Sequence, residues 1–97
     1  MSSRDEITKT LAEHRQELSG LGVKRLALFG SAAREQDSPE SDVDFLVRFS
    51  APSTFDLYMN LKFWLEDLIG RPVDLVTEKA LRPELRASVE RDAIRVT

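Results

Sequence analysis

Residues 30–44 read GSAAREQDSPESDVD and follow a hydrophobic run that ends at Phe29. This order predicts a strand, a glycine-serine turn, a short polar helix, a loop, and a second strand that opens on two acids. Asp42 and Asp44 are two positions apart, so in a strand both carboxylates project from one face. The alternate positions are apolar and form a face suited to burial: Val43, Phe45, Val47 and Phe49.

Two carboxylates held side by side on a strand repel each other unless a cation lies between them. Mg²⁺ takes oxygen ligands and often uses one or two protein carboxylates together with substrate phosphates. Gly30 lets the backbone approach a ligand closely, and the N–H groups that follow it, with the Ser31 hydroxyl, can bind anionic oxygen. The pattern therefore predicts a metal and polyphosphate site. Arg34 either reaches a phosphate or the acids, or is a solvated arginine.

Length and composition limit the classes of protein that fit. The 97 residues suit one domain spanning residues 1–97, and the absence of cysteine excludes disulfides and thiolate metal sites. A formal net charge of −3 argues against a broad grip on a nucleic-acid backbone. No apolar run approaches a membrane span and the N-terminus is polar, so we expect a cytoplasmic protein without membrane or direct nucleic-acid binding.

The rest of the chain alternates helical and strand patterns, which predicts an α+β fold with a small mixed sheet packed against helices. Ser53 is a candidate cap for the long helix. The predicted elements are a helix from Ser3 to Gly20, a strand Val23–Phe29, a short helix Ser31–Gln36, a strand Asp42–Phe49, a helix Thr54–Ile69, a strand Val73–Val76, a helix Pro83–Arg91 and a strand Ile94–Val96.

Two isolated polar residues need separate interpretation. Asp74 lies inside a strongly apolar strand, where an unpaired buried carboxylate is costly. If that strand lies beside the strand of Asp44, Asp74 joins Asp42 and Asp44 as a third acid; otherwise the acids are solvated or protect sheet edges. His14 is the only histidine and has no cysteine or histidine partner nearby, so we interpret it as a partly buried helix residue rather than a metal ligand.

The long helix carries two apolar stripes. A core stripe comprises Leu57, Leu61, Trp64, Leu65 and Leu68. On roughly the opposite side, Phe55, Met59 and Phe63 recur at intervals of four residues, and we call them the outer stripe. Such a second stripe often marks an interface, so we predict contact with another chain, either a helical partner or a second copy of this chain. The alternative is that the C-terminal segment folds over it.

Gly30-Ser31, ten intervening residues and Asp42-Val43-Asp44, with a later strand acid at Asp74, resemble the nucleotidyltransferase superfamily related to DNA polymerase β. The resemblance is closest to the minimal nucleotidyltransferases and covers nearly the whole chain. It implies the polymerase β palm-like fold. Such proteins often carry glycine after the arginine of the turn helix, where this chain has Glu35, a departure that concerns the turn helix and not the acids.

The resemblance also implies roles for individual residues. Gly30 and Ser31, with Arg34 as a further candidate, would bind the phosphates of a nucleoside triphosphate. Asp42, Asp44 and Asp74 would ligate two Mg²⁺ ions. Asp74 would in addition help deprotonate the attacking hydroxyl.

Minimal nucleotidyltransferases typically pair with a helical HEPN-type RNase toxin. The resemblance implies an antitoxin that transfers AMP from ATP to a tyrosine hydroxyl of that toxin. A catalytically silent module that neutralises its partner by occlusion is the alternative. Transfer to a small molecule is a third hypothesis. It is disfavoured because we expect no separate substrate domain in this chain.

Overall fold

The structure is a computed structural model that describes residues 3–52 and 54–96. Within these residues, four strands form one mixed sheet in the order β3-β2-β1-β4. The predicted α+β class is therefore confirmed. The elements in chain order are α1 (Ser3–Ala12), α2 (Arg15–Gly20), β1 (Val23–Phe29), α3 (Gly30–Ala33), β2 (Val43–Phe49), α4 (Phe55–Ile69), β3 (Val73–Thr77), α5 (Pro83–Asp92) and β4 (Ile94–Arg95).

The sheet pairs neighbouring strands in two directions. β1 runs antiparallel to both β2 and β4, whereas β2 and β3 are parallel. The long helix α4 between β2 and β3 supplies the crossover that a parallel pair requires. This pairing places β3 beside β2, which is the condition under which Asp74 can join the other acids.

The hydrophobic core lies on one face of the sheet. Its strand members alternate along β1, β2 and β3: Leu26, Leu28, Val43, Phe45, Val47, Val73 and Leu75. They pack with buried residues of α1, α2 and α4: Ile7, Leu11, Leu18, Leu61 and Leu65. Fully burying one such side chain contributes about 1.5–3 kcal/mol. Because side chains alternate along a strand, Asp44 and Asp74 project from the face opposite this core.

α4 anchors β3 as well as covering the core. Its N-cap is Thr54, whose hydroxyl accepts a hydrogen bond from the Leu57 amide at 3.1 Å, while the predicted cap Ser53 lies outside the described residues. The Tyr58 hydroxyl donates to the Leu75 carbonyl, and Glu66 Oε2 accepts from the Val73 amide at 3.0 Å. These bonds fix the strand that carries Asp74. Within the described ranges, no helix is long and apolar enough to cross a membrane.

The N-terminal segment corrects the sequence prediction of a single helix from Ser3 to Gly20. The helix breaks at Glu13 and His14, and His14 has the non-helical torsions φ −117° and ψ 28°. Its ring Nδ1 lies 2.7 Å from the Thr10 carbonyl oxygen, and its ring meets Trp64 edge-on with centroids 5.9 Å apart. His14 is thus a half-buried packing residue at a helix junction, and the prediction that it ligates no metal remains a prediction.

The short helix α3 that follows β1 ends at Ala33 rather than at the predicted Gln36. Glu35 takes the left-handed conformation, with φ 59°. A side chain with Cβ disfavours this conformation, whereas glycine adopts it freely. The Glu35 carboxylate lies 3.3 Å from Arg4 Nη2, and this exposed ion pair contributes little to stability. The glycine that family members often carry here therefore has a conformational explanation.

We expect Glu35→Gly to raise the free energy of unfolding by about 0.5–1 kcal/mol, because relief of the left-handed strain exceeds the extra chain entropy of glycine. Glu35→Ala is the matched control, since it removes the same ion pair but keeps Cβ. Urea unfolding of both variants measures the difference. Equal stability of the glycine and alanine variants would contradict the explanation.

Candidate active site

Two carboxylates meet at the start of neighbouring parallel strands. Asp44 of β2 pairs with Asp74 of β3 in the strand register, one residue after the pair of Val43 and Val73. Parallel neighbours lie about 4.8 Å apart and point to the same face at equivalent positions. Asp44 is half-buried and Asp74 is exposed. The structure therefore brings together two acids that lie thirty residues apart in the sequence.

The electrostatics of this pair disfavour negative charge on Asp44. Burial raises the pKa of Asp44 above its usual value of 3.8, and the nearby charges of Asp74 and Asp42 and a side-chain hydrogen bond with Asp74 raise it further. The positive charge of Arg34 has a smaller, opposite effect on this pKa. A cation at this position would remove the cost, because it favours the ionised carboxylate.

Gly30 is required by the position of the Asp44 carboxylate. It follows Phe29, which pairs with Asp44 across β1 and β2. A Cβ at Gly30 would lie 2.1 Å from Asp44 Oδ2, and the φ of Gly30 is +73°. Any other residue would both clash with the carboxylate and adopt a strained backbone. The turn and the acid thus occupy adjoining space, as the sequence pattern predicted.

Arg34 lies near the acids but forms its direct bonds elsewhere. Its Nη1 donates to Asp92 Oδ2 of α5 at 3.1 Å, and its Nε donates to Gln36 Oε1 at 3.2 Å. Its side chain is exposed and paired with Asp92, and its positive charge lowers the pKa of Asp44. Binding of a phosphate by Arg34 remains a prediction, as it does for the half-buried Ser31.

Asp42 corrects the expectation that both acids of the motif lie within the strand. β2 begins at Val43, and Asp42 is exposed just before it. The ladder to β3 starts one residue later, because the Val43 amide donates to the Pro72 carbonyl at 2.9 Å as part of the first parallel pair, Val43 with Val73. The charge of Asp42 nevertheless acts on Asp44. The sheet ladder therefore does not fix Asp42 directly.

The donor set suits a hard divalent cation, although it is not a finished metal cage. In the described part of the chain, no group of three or more His, Cys, Asp or Glu side chains is arranged to hold a metal ion. Mg²⁺ commonly uses one or two carboxylates and completes its shell with water and substrate phosphates. Adjacent oxygen ligands on Asp44 and Asp74, and the raised pKa of Asp44, fit that mode of binding.

Sequence reasoning missed three residues that organise this region. Arg71 and Asp37 form a nearly buried ion pair behind the loop that carries Asp42, and Asp92 pairs with Arg34. Arg71 precedes Pro72 and a strand, a position with no distinctive sequence pattern. The only indication in the sequence was the number of acidic residues near the motif, which suggested that some of them would form ion pairs.

Comparison with known proteins identifies the family. A family model described as a nucleotidyltransferase domain matches residues 8–96. The chain is 34% identical over 97 residues to Protein adenylyltransferase MntA of Thermococcus cleftensis, across 99% of this chain and 98% of that protein. It is also similar to a solved structure described as a minimal nucleotidyltransferase, with TM-score 0.82 and 35% identity, covering 97% of this chain and 95% of that one.

A more distant likeness concerns the fold alone. One chain of a structure described as a tri-AMPylated Shewanella oneidensis HEPN toxin in complex with MNT antitoxin aligns with TM-score 0.66 and 17% identity. The alignment covers 93% of this chain and 71% of the other. The matched domain and the shared sheet confirm the predicted nucleotidyltransferase assignment. The chain belongs to the nucleotidyltransferase family, as its resemblance to the minimal nucleotidyltransferases predicted.

Proposed function

We propose that this protein is a Mg²⁺-dependent adenylyltransferase that transfers AMP from ATP to a tyrosine hydroxyl of a HEPN-type RNase toxin and so acts as its antitoxin. The observation that carries the proposal is the pair Asp44 and Asp74, side by side on parallel strands and adjoining the Gly30 turn. The name of the Thermococcus relative and the AMPylated toxin of the Shewanella complex support the transferred group and the acceptor class.

In this proposal Asp42, Asp44 and Asp74 hold the metal, which supplies positive charge to the acids and to the triphosphate. The Gly30 turn and the Ser31 hydroxyl hold the terminal phosphates, with Arg34 adding positive charge nearby. The tyrosine oxygen attacks the α-phosphorus, forming an O–P bond as pyrophosphate leaves. Asp74, the more exposed of the strand acids, accepts the hydroxyl proton. Positioning and electrostatics carry most of the catalysis in such transfers.

The acceptor has to reach Asp74 from outside the sheet. The face that carries Asp44 and Asp74 lies opposite the core formed with α1, α2 and α4, so a partner segment can approach it. We propose that the single domain suffices for transfer once the partner presents its tyrosine, in a cytoplasm that supplies ATP and Mg²⁺. A catalytically silent antitoxin that acts by occlusion is the alternative. Incubation of the pair with labelled ATP separates the two, because only transfer labels the toxin.

The outer stripe supports a protein partner. Phe55 is 77% exposed and Phe63 is 55% exposed, so the alternative in which the C-terminal segment folds over the stripe is wrong. Met59, between them, is half-buried. Large exposed apolar side chains aligned on one helix face are typical of an interface. We propose that this stripe contacts the toxin.

Asp44→Asn is expected to abolish transfer but to raise stability in metal-free buffer. Because the fold raises the pKa of Asp44, the folded state binds the proton more tightly than the unfolded state. The ionised carboxylate therefore destabilises the fold at pH values above the raised pKa, and less as the pH falls through that pKa toward 3.8. Urea unfolding with EDTA should give a larger free energy of unfolding for the variant than for the wild type at pH 7, and this difference should narrow toward pH 4.

The control is Asp67→Asn, which neutralises an exposed acid of α4 away from the site. It should retain both transfer and the stability of the wild type. Full Mg²⁺-dependent transfer by Asp44→Asn would remove Asp44 from the catalytic site.

Asp74→Ala is expected to lower the single-turnover rate by about 10²-fold or more, while ATP affinity changes by less than about threefold. The reason is its proposed role at the attacking hydroxyl rather than at the triphosphate. Calorimetric titration with ATP and rapid-quench transfer assays provide the two numbers. An equal loss in both would place Asp74 in triphosphate binding or in the fold.

Replacing Met59 and Phe63 together with serine should weaken association with the toxin by about tenfold or more, because exposed apolar contacts are lost. The melting temperature of the isolated protein should fall only slightly, since Phe63 is largely exposed and Met59 is half-buried. Leu61→Ser is the matched control, because this fully buried neighbour belongs to the core and its loss should lower the melting temperature strongly. A similar drop for the outer-stripe variant would show that these residues stabilise the fold instead.

A further inference from the structure

Arg71 is bound by an unusually complete set of partners just ahead of β3. Its Nη1 lies 2.9 Å from Asp37 Oδ2, in an ion pair without hydrogen-bond alignment. Its Nη2 donates to the carbonyls of Ser38 and Ser41 at 2.8 and 2.9 Å, and Nε lies 3.3 Å from the second of these. The side chains of Arg71 and Asp37 are only 12% and 5% exposed. The guanidinium is therefore held rigidly in one orientation.

The loop that Arg71 binds is itself a closed turn. The Ser41 amide and hydroxyl both donate to the Ser38 carbonyl, at 3.1 and 2.8 Å, and the Ser41 hydroxyl accepts from the Ser38 amide at 3.1 Å. Arg71 Nη2 also donates to this hydroxyl, at 3.1 Å. The fork geometry of arginine matches these several acceptors in a way that the single ammonium of lysine cannot.

This arrangement acts on the residue that follows the turn. Asp42 is exposed and lies outside the sheet ladder, but both of its chain neighbours are anchored to the β3 entry. Ser41 is bound by Arg71, and the Val43 amide donates to the Pro72 carbonyl. Arg71 and Pro72 come just before Val73 and Asp74 in the chain. One short segment therefore anchors both neighbours of Asp42 and also carries Asp74.

A desolvated ion pair is a poor source of net stability, because removing both charges from water costs as much as their attraction returns. The hydrogen bonds that Arg71 donates to the Ser38 and Ser41 carbonyls could not be made by a hydrophobic side chain. The specific benefit of Arg71 is geometric, since it sets the position of the Ser41 carbonyl and thereby of Asp42.

We propose that Arg71, held by Asp37, is a positioning residue that places the Asp42 carboxylate for metal-dependent nucleotide binding. The inference rests on the proposed function, in which Asp42 ligates the metal. Mutation of a residue that orients a metal ligand without touching the metal commonly lowers metal affinity by about 10–100-fold. Loss of the fork should therefore raise the Mg²⁺ requirement without removing a catalytic group.

The test is Arg71→Lys, which keeps the charge and most of the volume. We expect the free Mg²⁺ concentration for half-maximal AMP-PNP binding, measured by calorimetry, to rise about tenfold or more. Transfer at saturating Mg²⁺ should stay within about threefold of the wild type, because excess metal compensates for a displaced ligand. The matched control is Arg86→Lys, an exposed arginine of α5, for which neither value should change.

A second variant covers the case in which Arg71→Lys fails to fold. Ser41→Ala removes the hydroxyl that binds Arg71 and Ser38 but buries no unpaired charge, and it should raise the Mg²⁺ requirement in the same direction by a smaller factor. An unchanged Mg²⁺ requirement in a folded variant would overturn the inference while leaving the proposed function intact. Absence of any Mg²⁺-dependent AMP-PNP binding by the wild type would refute the proposed function and, with it, this inference.

Discussion

Repulsion between two carboxylates on neighbouring strands is the constraint on which the rest of this structure depends. The parallel register of β2 and β3 places Asp44 beside Asp74, and half-burial adds to the cost of charging Asp44. Water cannot fully screen a pair in this position, because one member lies against the Gly30 turn. The fold thus holds a local excess of negative charge that a cation would relieve, and the stability that offsets this repulsion has to come from elsewhere.

That stability comes from the opposite face of the same sheet. Apolar residues at alternating strand positions are buried against α1, α2 and α4, so β2 and β3 pack one face in the core and carry Asp44 and Asp74 on the other. α4 also bonds to β3 through Glu66 and Tyr58, which resists separation of the strand that carries Asp74. Two arginine side chains act on the face that carries the acids. Arg34 lowers the pKa of Asp44, and Arg71 binds the loop that leads to Asp42.

α4 connects this scaffold with the expected partner. Its inner face carries the fully buried Leu61 and Leu65, while its outer face exposes Phe55 and Phe63 to solvent. α4 thus bonds to β3 on its inner side, while its outer stripe faces away from the sheet. In the proposed function, a toxin bound at the outer stripe has to extend around the sheet to bring its tyrosine to Asp74, which projects from the opposite face.

The sequence by itself determined the elements and the residue types of the site. Period-two alternation gave the bounds of β1 and nearly those of β2 and β3, because the pattern reflects which strand face is buried. The same pattern located Asp44 and Asp74, and glycine at position 30 reflected a backbone requirement that the structure confirms. Local periodicity could not give the helix break at His14, because a side-chain bond to Thr10 and packing on Trp64 accompany it. Tertiary structure alone decided that β3 lies beside β2, that Asp42 stands outside the strand, and that Arg71 reaches back to Asp37. These features depend on contacts between segments far apart in the chain, and such contacts leave no periodic pattern in either segment.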